Sequence, residues 1–246
     1  PGGSLVGRGL VLLFIWGPGL GVPRRATALA KREDGVFCVT LDNGSEVCAR
    51  AIIVSTGVQY RRLPIERLEE FESSGIYYAA TDVEARYCRN SDVTEIGGGN
   101  SAGQAAMFLC RTARHVHVLV RGPSLAASMS DYLLSRLEAD PKITIHYRTQ
   151  MTGLHGDDAL DGVTIRNATE GADWRIDAKA VFVMVGAAPN TAWLSGLVAL
   201  DDKGFVRTGA DAGGSSSYAT SHPGIFAVGD VRAGSVKRVA SAVGEG

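Results

Sequence analysis

Val93-Thr94-Glu95-Ile96-Gly97-Gly98-Gly99-Asn100-Ser101-Ala102-Gly103 reads as a short strand, a glycine turn and the first turn of a helix. The helix runs on through Gln104, Ala105, Met107, Phe108 and Leu109, and a second apolar strand follows at His115–Val120. Strand, glycine turn, helix and strand in about thirty residues have the size of a βαβ unit. Gly97 allows a sharp exit from the strand. Gly99 removes a side chain so that backbone can approach a pyrophosphate, and Ala102 is small enough for the helix to pack close on the strand. The free N–H groups and positive dipole end at Asn100, Ser101, Ala102 and Gly103 then face the phosphates. A bare G-x-G-x-x-G/A pattern also fits a glycine turn in a plain α/β fold. The flanking strands favour a dinucleotide site.

The end of the second strand bears on which nucleotide. An acidic residue there grips a ribose 2′-OH. The chain reads Val118-Leu119-Val120-Arg121-Gly122 instead. Arg121 can pair with a 2′-phosphate, which favours NADP over NAD. A solvated arginine at a strand end is the competing reading.

Bulk properties bound the class. The chain has 246 residues, 45% of them hydrophobic, which suffices for one large or two medium domains. A net charge of −1 gives no argument for nucleic acid or an acidic membrane surface. Glycine is 31 of 246 with no repeat or low-complexity tract, so the glycines are assigned to nucleotide loops and turns. Cys38, Cys48, Cys88 and Cys110 form no Cys-x-x-Cys, and no Cys/His cluster has zinc spacing. All four read as buried or half-buried thiols, which fits a reducing cytoplasm, and no metal site is expected.

Near the start, Leu10–Trp16 is an apolar run too short to span a membrane, and it reads as a core segment. Val36–Leu41 and Glu46–Arg50 flank Asp42-Asn43-Gly44-Ser45, a β-hairpin with an Asn-Gly turn. Ala51–Ser55 reads as a buried parallel strand ending at Thr56-Gly57. Residues 60–82 read as a connector, Leu125–Ala139 as an amphipathic helix and Ile143–Tyr147 as a strand. Leu160–Arg166 and Trp174–Ile176 make a second hairpin, and Ala180–Gly186 is another buried strand. Gly224–Asp230 is an apolar strand delivering one aspartate at its end, with a helix from about Lys237. An aspartate there, beside a helix N-terminus, suits a sugar hydroxyl while the dipole faces a phosphate or flavin carbonyl.

Val54-Ser55-Thr56-Gly57, Ile96–Gly103, Val185-Gly186-Ala187-Ala188-Pro189-Asn190-Thr191 and Gly224–Asp230, the last continuing into Lys237-Arg238-Val239-Ala240-Ser241-Ala242, occur in a telling order. Together they resemble the thioredoxin-reductase-like branch of the FAD- and NAD(P)-dependent pyridine nucleotide-disulfide oxidoreductases. The resemblance covers roughly residues 22–246. It implies an α/β fold of two dinucleotide-binding domains. An NAD(P)H domain at 83–207 is inserted in an FAD domain made of 1–82 and 208–246. It implies FAD and NADP (or NAD) as cofactors and hydride transfer from nicotinamide to flavin, then onward to an acceptor that is a one-electron redox protein, a quinone, oxygen or a thiol elsewhere. Members of the family are often homodimers, and no membrane or nucleic-acid partner is expected. Carried over by position, Asp230 meets the ribityl or pyrophosphate region of FAD. Lys237, Arg238 and Val239 lie against the flavin, and Thr56, Gly57, Gly186 and Gly229 complete the cofactor-binding set.

The chain departs from the family at three places. Ala79 and Asp82 stand where the family has the two cysteines of Cys-Ala-Thr-Cys, so a dithiol relay of that kind is not expected. The first βαβ of the FAD domain does not precede residue 1, and the chain reads as an internal fragment of a longer frame. The apolar run at 10–16 replaces an amphipathic helix. No catalytic acid–base residue is assigned: His115 and His117 read as strand residues and His222 as a loop residue. Two other readings stand beside an enzyme. One is an NAD(P)H-binding regulatory module without turnover, and the other an inactive fragment.

Arg121→Glu is expected to weaken NADPH binding more than NADH binding in parallel titrations. Equal losses for both nucleotides would remove Arg121 from the 2′-phosphate role.

Overall fold

The computed structural model describes residues 24–72, 74–194, 196–235 and 239–245. The chain forms two compact units, Pro1–Gln59 with Ala187–Gly246 and, separately, Tyr60–Gly186. The motif-based boundaries at 82/83 and 207/208 lie further along the chain than these. The apolar run Leu10–Trp16 and the candidate flavin contacts Lys237 and Arg238 lie outside the described residues.

The first unit begins with an antiparallel sheet of β1 (Ala26–Lys31), β2 (Phe37–Leu41) and β3 (Glu46–Ala49). Alternation turns Phe37, Val39 and Leu41 toward one apolar core, with Leu29, Val54, Leu194, Val206 and Ile225. The Asn-Gly turn forms as expected. The Asn43 side-chain oxygen accepts from the Ser45 amide at 3.1 Å and the Ser45 hydroxyl at 2.7 Å. Gly44 takes φ +80°, which a side chain would resist. β4 (Ile52–Val54) follows, then β5 (Val58–Tyr60).

The second unit contains α1 (Leu68–Phe71), β6 (Ile76–Tyr77), α2 (Asp82–Tyr87), β7 (Asp92–Ile96), α3 (Asn100–Leu109) and β8 (His115–Val120). It continues through α4 (Asp131–Ala139), β9 (Ile143–Tyr147), β10 (Thr149–Gly156), β11 (Leu160–Asn167), β12 (Asp173–Ile176) and β13 (Ala180–Val183). A parallel sheet runs in the order β6-β13-β7-β8-β9, and β10-β11-β12 form an antiparallel sheet. The parallel sheet buries both faces, as parallel sheets do. Val93, Val116, Val118 and Phe182 pack with Ala106 and Leu109 of α3. The opposite face puts Leu119, Val181 and Val183 with Val163 and Ile165 of the antiparallel sheet. The chain then returns to the first unit through β14 (Ala187–Pro189), β15 (Ile225–Ala227) and α5 (Val239–Glu245). β15 pairs in parallel with β4. Among the described residues no helix is long and apolar enough to cross a membrane.

Several expectations are corrected. Residues 60–82 are more than a connector, because Ile76 and Tyr77 pair with Val181 and Phe182 and so belong to the second unit's sheet. The predicted helix over Leu125–Ala139 begins only at Asp131. Leu125 is fully buried without being helical, which is why periodicity misread it. The second hairpin is a three-stranded sheet, since Thr149–Gly156 pairs along Leu160–Asn167. Ile53 is 68% exposed, so Ala51–Ser55 is not buried along its length. Cys38 and Cys48 are not thiols. They sit directly opposite one another on β2 and β3 and are joined as a disulfide. Alternation treats each as a separate strand residue, and only the register brings them face to face. The inference of a reducing compartment from four thiols falls with them. Cys88 and Cys110 are free and buried, as expected.

Glu95 departs from the pattern of β7. It lies in register between Phe182 and Val118, fully buried on the face that packs against α3. Neither carboxyl oxygen has a hydrogen-bond partner among the described residues. Burial pushes its carboxyl well above the usual range. An acid whose folded pKa is raised costs stability as pH climbs from its unfolded value, about 4.3, toward the folded one. Glu95→Val is therefore expected to stabilise the chain by about 1–3 kcal/mol at neutral pH, the scale of one unsatisfied buried polar group. Urea unfolding at neutral pH and near pH 4 checks this: the gain is larger at neutral pH, and a pH-independent loss would contradict it.

Candidate functional site

The glycine turn joins β7 to α3 at the carboxyl end of the parallel sheet, the end at which open α/β sheets receive ligands. Its glycines do different work. A Cβ on Gly97 would stand 2.8 Å from the Met184 carbonyl oxygen and 2.8 Å from the Ala102 Cβ. Gly97 is thus required by close packing of β7, α3 and the end of β13, with Ala102 fully buried beneath. Gly103 performs the same service one turn on, against Leu133 and Met129. Gly99 differs. It is the N-cap of α3 with φ −102° and ψ 178°, and the nearest atom to an added Cβ is the Ser128 carbonyl oxygen at 4.0 Å. The protein itself leaves that side open.

No side chain caps α3. The first turn of a helix presents amides without intrahelical partners and the positive end of the macrodipole. Asn100 and Ser101 lie exposed there. The Asn100 side-chain oxygen accepts from the Ser130 amide at 2.8 Å, and the Ser128 hydroxyl donates to the Gly98 carbonyl at 2.6 Å. These two bonds tie residues 128–130 to the glycine turn, and they explain why the predicted helix starts late. Arg121, just past β8, is exposed in the same unit. Gly186 takes φ +90°, and its carbonyl accepts from the Arg61 amide at 3.1 Å.

In the first unit, two motifs separated by 134 residues meet. The Thr56 hydroxyl donates to the Asn190 carbonyl at 3.0 Å, and the Asn190 amide side chain donates to the Thr56 carbonyl at 3.0 Å. The Trp193 ring nitrogen donates to the same Asn190 carbonyl at 3.0 Å, and Gly57 takes φ +58°. Asp230 sits at the carboxyl end of β15 within the turn Gly229–Val231. Gly229 takes φ +72°, and a Cβ there would meet the Ala242 Cβ at 3.3 Å, so this glycine lets α5 approach. Val239 opens α5.

Sequence reading missed the ion pair that holds this corner. Arg232 donates through Nε and Nη2 to the two Glu245 oxygens at 2.9 and 2.7 Å, and the Gly229 amide donates to Glu245 at 2.6 Å. The Arg232 bond pulls the Glu245 carboxyl below its ordinary value. Charge patterning gives no signal for it, because a turn and a helix supply the two partners.

Ala79 and Asp82 stand at the start of α2. Thr81 is its N-cap, and the Glu84 carboxylate accepts from the Thr81 amide in a capping box. Cys88 closes that helix, fully buried, its Sγ donating to the Glu84 carbonyl at 3.2 Å. Burial pushes its thiol up to about 11, so it is a poor nucleophile. On the sheet face opposite α3, His117 Nδ1 and His146 Nε2 share a hydrogen bond at 3.0 Å. Burial, then the neighbouring imidazoles, push His117 down to about 4. His115 bonds Thr144 at 2.8 Å. His222 packs edge-on against Phe37 with ring centroids 5.3 Å apart. None of the four lies at the glycine turn.

The sequence matches the pyridine nucleotide-disulphide oxidoreductase family over residues 21–246. Over 208 residues it is 33% identical to thioredoxin reductase of Streptomyces clavuligerus, covering 85% of this chain and 62% of that protein. Over 223 residues it is 32% identical to NADH dehydrogenase of Bacillus subtilis (strain 168), covering 91% of this chain and 42% of that protein. The crystal structure of thioredoxin reductase from Streptococcus pyogenes MGAS5005 matches with a TM-score of 0.75 at 29% identity, over 90% of this chain and 69% of that one. The chain thus spans less than two thirds of the length of either curated relative. The fold is the two-dinucleotide-binding-domain α/β fold, as the motif order implied.

Gly97→Ala is expected to cost about 1–3 kcal/mol by overpacking. Gly99→Ala is expected to cost less, about 0.5–1 kcal/mol, from the poorer N-cap preference of alanine alone. Urea unfolding of the two variants checks the contrast, and equal losses would show that Gly99 too is demanded by packing.

Proposed function

Because the chain belongs to the pyridine nucleotide-disulphide oxidoreductase family, we propose that it serves hydride transfer from NADPH to FAD and onward to a separate acceptor, without a Cys-x-x-Cys of its own. The observation that carries this reading is the uncapped start of α3 beneath a glycine turn whose Gly99 side stands open. Such a cradle fits a pyrophosphate: it offers unpaired amides, a positive dipole end and room for close backbone approach. Gly97, Gly99, Asn100, Ser101 and Ala102 form the cradle, and Arg121 meets the 2′-phosphate that distinguishes NADP from NAD.

FAD is assigned to the first unit. Asp230, at the end of β15 beside Gly229, is placed to accept from sugar hydroxyls, the role a carboxylate takes at such strand ends. Thr56 and Gly57 are tied to Asn190 by the reciprocal Thr56–Asn190 hydrogen bonds, and Lys237, Arg238 and Val239 are assigned to the flavin by motif order. Gly186 ends the returning crossover of the second unit. When bound, the nicotinamide and the flavin supply the redox chemistry, and the chain's residues bind and orient them.

The acceptor is assigned to a separate redox partner or small oxidant because Ala79 and Asp82 bear no thiol and Cys88 is buried as the neutral form. A second reading, an NAD(P)H-binding module without turnover, rests on the same absence of thiols together with an intact nucleotide cradle.

The test is an absorbance spectrum of the purified chain before and after NADPH, with Gly99→Ala alongside. Flavin bands that bleach with NADPH are expected. Gly99→Ala is expected to weaken NADPH by about tenfold, or 1.4 kcal/mol. A colourless chain that still binds NADPH would replace the enzyme reading with the binding-module reading.

A further inference from the structure

The first unit carries a cluster that no cofactor assignment uses. Cys38 on β2 and Cys48 on β3 are directly opposed across the hairpin, and Glu46 precedes Cys48 by two residues. Strand alternation puts Glu46 and Cys48 on one face of β3, with Cys38 beside them and away from the core that Phe37, Val39 and Leu41 enter. The Sγ atoms of Cys38 and Cys48 and a carboxylate oxygen of Glu46 all lie within 4.8 Å of one another. Cys38 is buried, whereas Cys48 and Glu46 are exposed, so one side of the cluster is open to solvent. The Glu46 carboxylate is already neutralised by a cation, the Arg32 guanidinium at 3.1 Å.

We propose that reduction of the Cys38–Cys48 disulfide opens a binding site for a zinc-class divalent cation, ligated by both thiolates and the Glu46 carboxylate. In the oxidised chain the sulfur electrons are committed to the S–S bond and the cluster has one anionic group. Reduction adds two electrons and two protons and yields two thiols. The thiolate is the form that ligates a metal, so binding releases the thiol protons. A divalent cation displaces the two protons to solvent and takes the Arg32 position at Glu46. Two sulfur ligands and one oxygen leave a tetrahedral ion its fourth place for water on the open side. The spacing rules for zinc motifs miss the cluster because two strands supply its ligands and the register aligns them. In the cell a dithiol is the reductant and leaves as its own disulfide.

The test uses the full chain. A phosphine with water reduces the disulfide, leaving as phosphine oxide, and does not itself compete as a thiol ligand. Zinc ion alone is then titrated calorimetrically into oxidised and reduced protein. One equivalent binding to the reduced chain and none to the oxidised chain is expected. Glu46→Gln retains the hairpin and its disulfide, and it is expected to weaken the reduced-state affinity about tenfold or more. Cys38→Ser/Cys48→Ser is expected to abolish binding while keeping Cys88 and Cys110. The proposal is overturned if the reduced chain takes up no stoichiometric zinc, if the double variant binds as well as the parent, or if Glu46→Gln leaves the affinity unchanged.

Discussion

The close approach at Gly97 is the constraint on which the second unit depends. A Cβ added at Gly97 would stand 2.8 Å from both the Met184 carbonyl oxygen and the Ala102 Cβ, so no side chain fits between β7, α3 and the end of β13. The same contact sets where α3 begins, and therefore where its unpaired amides point. Gly103 repeats the arrangement against Met129 and Leu133, fixing α4 beside α3. The Ser128 and Asn100 hydrogen bonds then draw the intervening loop onto the turn. Packing of this kind has little slack, because protein interiors are as dense as organic crystals. For the nucleotide proposed above, a turn held by such packing lowers the ordering cost of binding.

Polar burial takes two forms, and the Ser235 hydroxyl of the first unit belongs with the second of them. In the first, the distant motifs at Thr56 and Asn190 satisfy each other reciprocally, and Arg232 meets both oxygens of Glu245. Such charge-assisted, bidentate bonds are strong as well as directional. In the second, Glu95 and Thr94 place polar atoms inside the sheet without partners among the described residues. The first arrangement fixes loops that carry candidate cofactor residues. The second costs stability, and no feature of the glycine turn uses it.

The family's electron route suggests a dithiol at Ala79 and Asp82, yet the pair of cysteines joined here lies on a hairpin of the first unit. The two locations are chemically distinct. At the first, α2 starts with a capping box at Thr81, which stabilises the helix and offers no redox group. The hairpin cysteines instead form a disulfide with Cys48 and Glu46 exposed on one side.

Much of the fold was legible in the chain. The strand–turn–helix–strand at 93–120, the Asn-Gly hairpin and the strands at Ile143–Tyr147 and Ala180–Val183 come from local periodicity and turn chemistry, which neighbouring residues determine. Motif order supplied the family and the identity of Gly97, Gly99 and Asp230 as candidates. Tertiary structure alone decided the rest. It drew Ile76 and Tyr77 into a sheet edge, held back the start of a helical pattern to Asp131 and aligned Cys38 with Cys48. It also joined Arg232 to Glu245 and enclosed Glu95. Each of those outcomes depends on which distant segment lies alongside, and a one-dimensional pattern records the residue's own preference without recording its neighbour.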